Sequence, residues 1–346
     1  MDNSIRVGTA EVDITPPHLG FDVGWLAGGH LPRKAQGVRD PLLCKAIVFD
    51  SDRGRCAFVV CDLLVLAAKT VDESLRRAAA KTPLKPDEIM LVATHTHSGP
   101  YTAPVFGADD GHTDERYVAA LPERIAQNIE AAWNGRRPAR LSHASACVTR
   151  GVHYRRVRLK GGGQINTWLA GRKPLKAQML GAAGPADYEL GAIFAEDDAG
   201  KPLAALYDFT LHANARGGVQ HSADYPAVVQ ACLREKLGSP IASVFLPGAC
   251  GNINPTASPD DIGRILADSL AGMLASPERR PLKPPIASRK TPITVPLRDL
   301  ANAHKEYRRT CVEWGHGGST EVYEREYNFL VAEGAKDLTT PLQAVR

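Results

Sequence analysis

Several features that mark specialised protein classes are scarce or absent in this sequence. Aromatic residues make up only 6% of the 346 positions, and no amphipathic basic helix is present to seat them on a lipid surface. No apolar run approaches the roughly 18 residues a spanning helix requires, so stable membrane insertion is not expected. Neither sign of charge dominates. The 42 basic and 38 acidic residues leave a formal net charge of +4, spread too evenly to gather nucleic acid. The seven cysteines are odd in number and lie mostly inside apolar runs, a pattern of buried free thiols in a reducing, cytoplasmic setting. The start, Met1-Asp2-Asn3-Ser4, has neither the basic nor the apolar region of a secretory signal.

What is present is the composition of a globular α/β protein, 44% hydrophobic and 23% charged. Short runs rich in Val, Ile and Phe predict strands over Ile5–Val12, Cys44–Phe49, Cys56–Cys61, Ile89–Ala93, Leu141–Val148, Leu190–Ala195, Pro202–Phe209 and Ile241–Leu246. Helical patterns fall at Val71–Ala80, Glu115–Trp133, Ala227–Leu237, Asp260–Ala275 and twice near the C-terminus. Alternation of the two predicts an α/β fold in three layers, a mixed or parallel sheet flanked by helices, with the site at the strand carboxyl ends. Residues 1–276 are expected to form this catalytic-type domain. A proline-rich connection and a helical segment occupy 277–346 and are expected to join the same domain. The one dense basic run, Arg155 to Lys160, alternates with apolar residues and reads as a solvated strand face rather than a nucleic-acid patch.

The strand ends carry the chemistry. Asp62 follows the third run, His95 and His97 follow the fourth, His212 follows the seventh, and Gly248-Ala249-Cys250-Gly251-Asn252 follows the eighth. Two residues apart in extended chain, His95 and His97 project to one side. Either both face one metal, or one ligates while the other contacts substrate. His212 at a second strand end offers a third nitrogen, and imidazole suits zinc. Asn252 and Asn254 belong either to a tight turn or to a set of donors for an oxyanion. Cys250 reads as a structural thiol, since no base for it is identifiable.

These residues also fall in a familiar order. Val7 to Pro17, Gly37 to Leu42, Thr94-His95-Thr96-His97-Ser98-Gly99-Pro100, Ser222 to Pro226 and Gly248 to Pro255 together resemble the neutral/alkaline non-lysosomal ceramidase family. The resemblance implies a zinc-dependent amide hydrolase in which His95 and His212 bind Zn2+, His97 contacts the scissile group, and Arg155 helps hold the developing oxyanion. Asn254 stands where that family carries a serine, and an amide cannot relay a proton. The substrate expected is therefore an unspecified N-acyl or amide-linked small molecule rather than ceramide itself.

The family's later glutamate and tyrosine ligands have no counterpart before Arg346. A short form lacking the ligand strand is expected, with Asp62 or Asp224 either supplying oxygen or orienting a histidine. Dimerisation is one remedy for the sheet edge left open. Alternative readings are a non-catalytic scaffold with an incomplete metal site, and a zinc hydrolase of an ester or lactone.

Overall fold

The computed structural model describes residues 5–29, 33–104, 111–167, 177–296 and 338–346, with positions 299, 302, 305, 324, 327, 328 and 331 between the last two ranges. Nine strands form the main sheet: β1 (Ile5–Asp13), β2 (Leu43–Ser51), β3 (Gly54–Cys61), β4 (Ile89–Ala93), β5 (Arg137–Cys147), β6 (Glu189–Glu196), β7 (Pro202–Phe209), β8 (Ala242–Pro247) and β9 (Arg280–Leu282). Their order is β8-β7-β6-β5-β1-β2-β3-β4, with β9 paired to β5. Four helices flank them: α1 (Ala68–Lys81), α2 (Glu115–Asn134), α3 (Tyr225–Leu237) and α4 (Pro259–Ala275).

The α/β class and the mixed sheet are as the sequence predicts. The pairing is mostly antiparallel, and only the outermost pairs, β3 with β4 and β7 with β8, run parallel. Each parallel pair is joined by a crossover containing helix, α1 on one side and α3 on the other.

The layering differs from the three layers expected. β1 meets β5 only from Ile5 to Val7, whereas it pairs with β2 from Arg6 to Asp13. This short joint lets the sheet fold on itself. Alternate residues of β2 and β3, such as Ile47, Phe49, Phe58 and Val60, then pack against Leu203, Leu206, Ala242 and Val244 of the other half. The opposite faces bury Ala46, Val48, Ala57 and Val59 under α1 and α2, and Phe194, Tyr207, Phe209 and Phe245 under α3 and α4. Three apolar sheets of side chains thus separate four layers of backbone.

The helices sit where their periodicity and punctuation direct. Leu121, Ile125 and Ile129 of α2, and Ile262, Leu266 and Leu270 of α4, recur every fourth residue and form the buried stripes. Asp114 caps α2 by accepting from the amides of Arg116 and Tyr117. Gly238 ends α3 in the left-handed region at φ 54.

The stretch read as a proline-rich connection contains strands. Pro281 lies opposite Ser142 where β9 adds to β5, and Ser288–Val295 pairs with Leu338–Val345. Proline lacks only the donor, so strands with one unpaired side accept it. Ile286 and Val345 pack against the central core. The two C-terminal helices expected from the sequence lie largely outside the described residues.

Two core positions generate tests. A Cβ at Gly8 would lie 1.9 Å from the carbonyl oxygen of Ala132, so β1 approaches the end of α2 more closely than any side chain allows. Gly8→Ala is expected to destabilise the fold by about 1–3 kcal/mol, read as a lower urea midpoint at unchanged slope. Asp62 is buried beside Lys45, and burial pushes its pKa from 3.8 up to about 6 against the lowering effect of that lysine. The folded state therefore binds this proton more tightly than the unfolded chain. Its stabilising effect is complete below pH 3.8 and is lost as pH rises through 6. Asp62→Asn, which keeps an acceptor for the Leu43 amide, should gain about 3 kcal/mol at pH 8 and almost nothing at pH 3.5. Equal gains in urea unfolding at the two pH values would contradict burial as the cause.

Candidate metal centre

Both parallel strand pairs deliver their carboxyl ends to one place. His95 and His97 follow β4, Leu64 follows β3, His212 follows β7 and Cys250 follows β8. Backbone hydrogen bonds tie these ends across the two halves of the sheet. The amide of His97 donates to the carbonyl of Ala213 at 3.0 Å, and that of Ser222 to Ser98 at 3.0 Å. Thr96 donates its hydroxyl to the Ser222 carbonyl at 2.7 Å. Asp40 accepts from the Ser222 hydroxyl and the Ala223 amide, both at 2.7 Å. Three landmarks separated in sequence, Gly37 to Leu42, Thr94 to Pro100 and Ser222 to Pro226, thus form one frame.

Within it the three imidazoles converge, one nitrogen of each lying within 4.8 Å of the others. His97 Nε2 is 3.4 Å from His95 Nε2 and 3.0 Å from His212 Nε2. Each Nδ1 faces a backbone carbonyl: Leu64 at 2.9 Å for His95, Gly28 at 2.6 Å for His97, Cys250 at 3.1 Å for His212. A carbonyl only accepts, so each Nδ1 carries the hydrogen and each Nε2 presents a lone pair.

The surroundings keep His97 and His212 neutral. Burial lowers the His97 pKa from 6.5 to about 3, helped by His212 and His95 and opposed by the Gly28 carbonyl. Burial also lowers that of His212 to about 4, opposed by the Cys250 carbonyl and helped by His95 and the Arg155 charge. At neutral pH no proton bridges these two nitrogens. Their lone pairs, 3.0 Å apart, repel unless a cation lies between them. Zinc–nitrogen bonds of about 2.0–2.1 Å in tetrahedral array put ligand nitrogens about 3.3 Å apart. The donor set fits zinc. His95 itself adopts φ 63, a left-handed conformation rare for a side chain of this size.

Arg155, Asn252 and Asn254 gather at the same rim, where the side-chain oxygen of each amide accepts from an arginine. Asn254 accepts at Oδ1 from Arg155 Nη1 at 3.1 Å, and Asn252 accepts at Oδ1 from Arg156 Nε at 2.8 Å. The Arg155 amide also donates to the Asn252 carbonyl at 2.7 Å. Burial raises the Cys250 thiol, in keeping with a structural role.

Neither aspartate considered as an oxygen ligand joins the imidazoles. Asp62 accepts from the Leu43 amide. Asp224 caps α3, accepting from the amides of Tyr225 and Arg216 at 2.7 Å each. Among the described residues, no carboxylate or thiolate belongs to the histidine cluster. The sequence reading missed the three carbonyls of Gly28, Leu64 and Cys250, and Arg33, which donates to the His97 and Gly218 carbonyls. Only Gly28 left a residue-type signal. At φ 96 it lies against His97, where a Cβ would come within 2.7 Å of the histidine Cα.

No family model matches the chain. Over 156 residues it is 30% identical to the neutral ceramidase of Pseudomonas aeruginosa, a stretch covering 42% of this chain and 22% of that protein. A crystal structure of neutral ceramidase from Pseudomonas aeruginosa superposes with a TM-score of 0.62 at 19% identity, over 87% of this chain and 49% of that one. A ceramidase complexed with C2 gives 0.64 at 20% identity, over 86% and 48%. The chain spans about half the length of these structural relatives. Over that span it has a neutral ceramidase-like fold.

Proposed function

We propose that this chain carries the histidine centre of a zinc-dependent hydrolase that cleaves the amide bond of an N-acyl small molecule. The observation that supports it is the convergence of three imidazoles, each held by a carbonyl at Nδ1 and each turning Nε2 towards the others. His95 and His212 hold the ion. His97, 3.0 and 3.4 Å from their nitrogens, serves as the third donor rather than as a separate substrate contact. Zinc bound there would supply Lewis acidity towards a carbonyl and a water acidic enough to ionise near neutral pH.

The protein's own groups do the rest. Arg155 puts a fixed positive charge beside the imidazoles, where it can stabilise the negative charge that grows on a carbonyl oxygen under attack. Leu64, Gly28 and Cys250 keep the three rings in one tautomer, so no reorganisation is needed when the ion or substrate arrives. The choice of an N-acyl amide rests on the likeness to proteins named neutral ceramidase. The donor set does not choose between amide and ester carbonyls, and an assay must offer both.

One observation favours a second reading, a binding scaffold without turnover: among the described residues no oxygen ligand joins the histidines. Protein purified without chelator separates the two. About one zinc per chain is expected, with affinity reduced more than about 100-fold in His95→Ala, His97→Ala and His212→Ala. Zinc retained in His97→Ala alone would return that residue to substrate contact. Zinc absent from the wild type, or unaffected in all three variants, defeats the metal site. Zinc bound without hydrolysis of any acyl anilide or ester leaves the scaffold reading.

A further inference from the structure

The turn after β8 and the chain after β5 are built into one another. Ile253–Pro255 pairs with Val152–Tyr154, setting Asn254 opposite His153. The backbone of Asn254 is fixed there, its carbonyl 3.0 Å from His153 Nδ1, while His153 Nε2 lies 3.0 Å from the Thr167 hydroxyl. The main chain of Arg155 is fixed too, its amide donating to Asn252 at 2.7 Å and its carbonyl accepting from Thr167 at 2.8 Å. The Arg155 side chain is long, and ordering such a group costs about 2 kcal/mol of rotamer entropy. Its Nη1 is met by the Oδ1 of Asn254 at 3.1 Å. The guanidinium so placed acts on His97, His212 and Cys250 alike.

The chemistry of the acceptor matters. A carboxylate at this position would hold the guanidinium more tightly but would cancel its charge. An amide oxygen orients the same group and leaves the charge for a substrate. Asn252 does the equivalent for Arg156, so the turn fixes two successive arginines by their side chains. We infer that Asn254 is a positioning residue: its side-chain carbonyl holds the Arg155 guanidinium at the histidine cluster without neutralising it. The catalytic consequence, though not the positioning itself, rests on the hydrolase proposed above.

Arginine side-chain NMR on the whole, metal-free protein tests the positioning directly, with the Arg155 signals identified by their loss in Arg155→Lys. A held guanidinium rotates slowly and shows separate Nη signals. Asn254→Ala should merge them, Asn254→Asp should keep them apart, and Asn252→Ala should leave Arg155 unchanged. Resolved Arg155 signals in Asn254→Ala would overturn the inference. If that variant does not fold, merged signals in Asn254→Asp would do so instead.

Turnover of N-octanoyl-4-nitroaniline by zinc-loaded protein then tests the consequence. For both Asn254→Ala and Asn254→Asp, kcat should fall about 10- to 100-fold with KM within about twofold. The alanine fails through disorder and the aspartate through lost charge. Unchanged kcat in both would remove Arg155 positioning from the reaction. No turnover by the wild type would sink the hydrolase reading, leaving the NMR result to decide whether Asn254 positions Arg155.

Discussion

The hydrogen bond from each imidazole Nδ1 to a main-chain carbonyl is the constraint on which the centre depends. It decides the tautomer, and through the tautomer it decides that three lone pairs face one point. The choice of partner carries a second consequence. A carboxylate behind each ring would raise its pKa and favour imidazolium. A carbonyl gives the same orientation with far less charge, and burial then holds His97 and His212 at about 3 and 4, neutral throughout the physiological range. These two rings are ready for a cation because their surroundings disfavour a proton.

Holding three carbonyls in that relation requires three chain segments fixed at once, and this is what the folded sheet provides. Leu64 and Cys250 follow the inner and outer members of the two parallel pairs, β3 and β8, while His95 and His212 follow the other members, β4 and β7. Because the sheet doubles over at the short joint of β1 with β5, the carboxyl ends of both pairs arrive together. In a flat sheet of the same order, β4 and β8 would sit at opposite edges. The strained backbone at His95 and at Asp224, φ 63 and φ 61, lies on either side of this meeting place, where the surrounding frame of Asp40, Thr96 and Ser222 leaves each residue no alternative.

Much of this was legible in the sequence, for physical reasons that also show where legibility stops. The eight central strands and four helices follow from apolar runs and helix punctuation, which are local properties. The doubling of the sheet is not local. It depends on how few residues of β1 pair with β5, and no residue type announces that. His95, His97 and His212 were identifiable because imidazole at a strand end is uncommon. The carbonyls that orient them belong to Leu64 and Cys250, whose side chains say nothing about the role. Asn252 and Asn254 were identifiable as polar turn residues, but an amide both donates and accepts. Only the position of Arg155 and Arg156 shows that it is the oxygen that is used. Asp62 and Asp224 occupy equally suggestive places in the sequence, yet their oxygens are committed to backbone amides.

The chain matches about half the length of its structural relatives, which raises the question of how far the histidine centre stands on its own. Among the described residues, the bonds that shape it are those of the carbonyls of Gly28, Leu64 and Cys250, the frame of Asp40, Thr96 and Ser222, and the arginine held by Asn254. None of these is supplied by the ribbon of Ser288–Val295 with Leu338–Val345, which packs instead against the central core through Val345, beside Ile286 just before it. The three nitrogens are therefore set by the folded sheet itself. Oxygen ligands, if a zinc ion takes any from protein, would complete a geometry already imposed rather than create one, because no ring can turn without breaking its bond to a main-chain carbonyl.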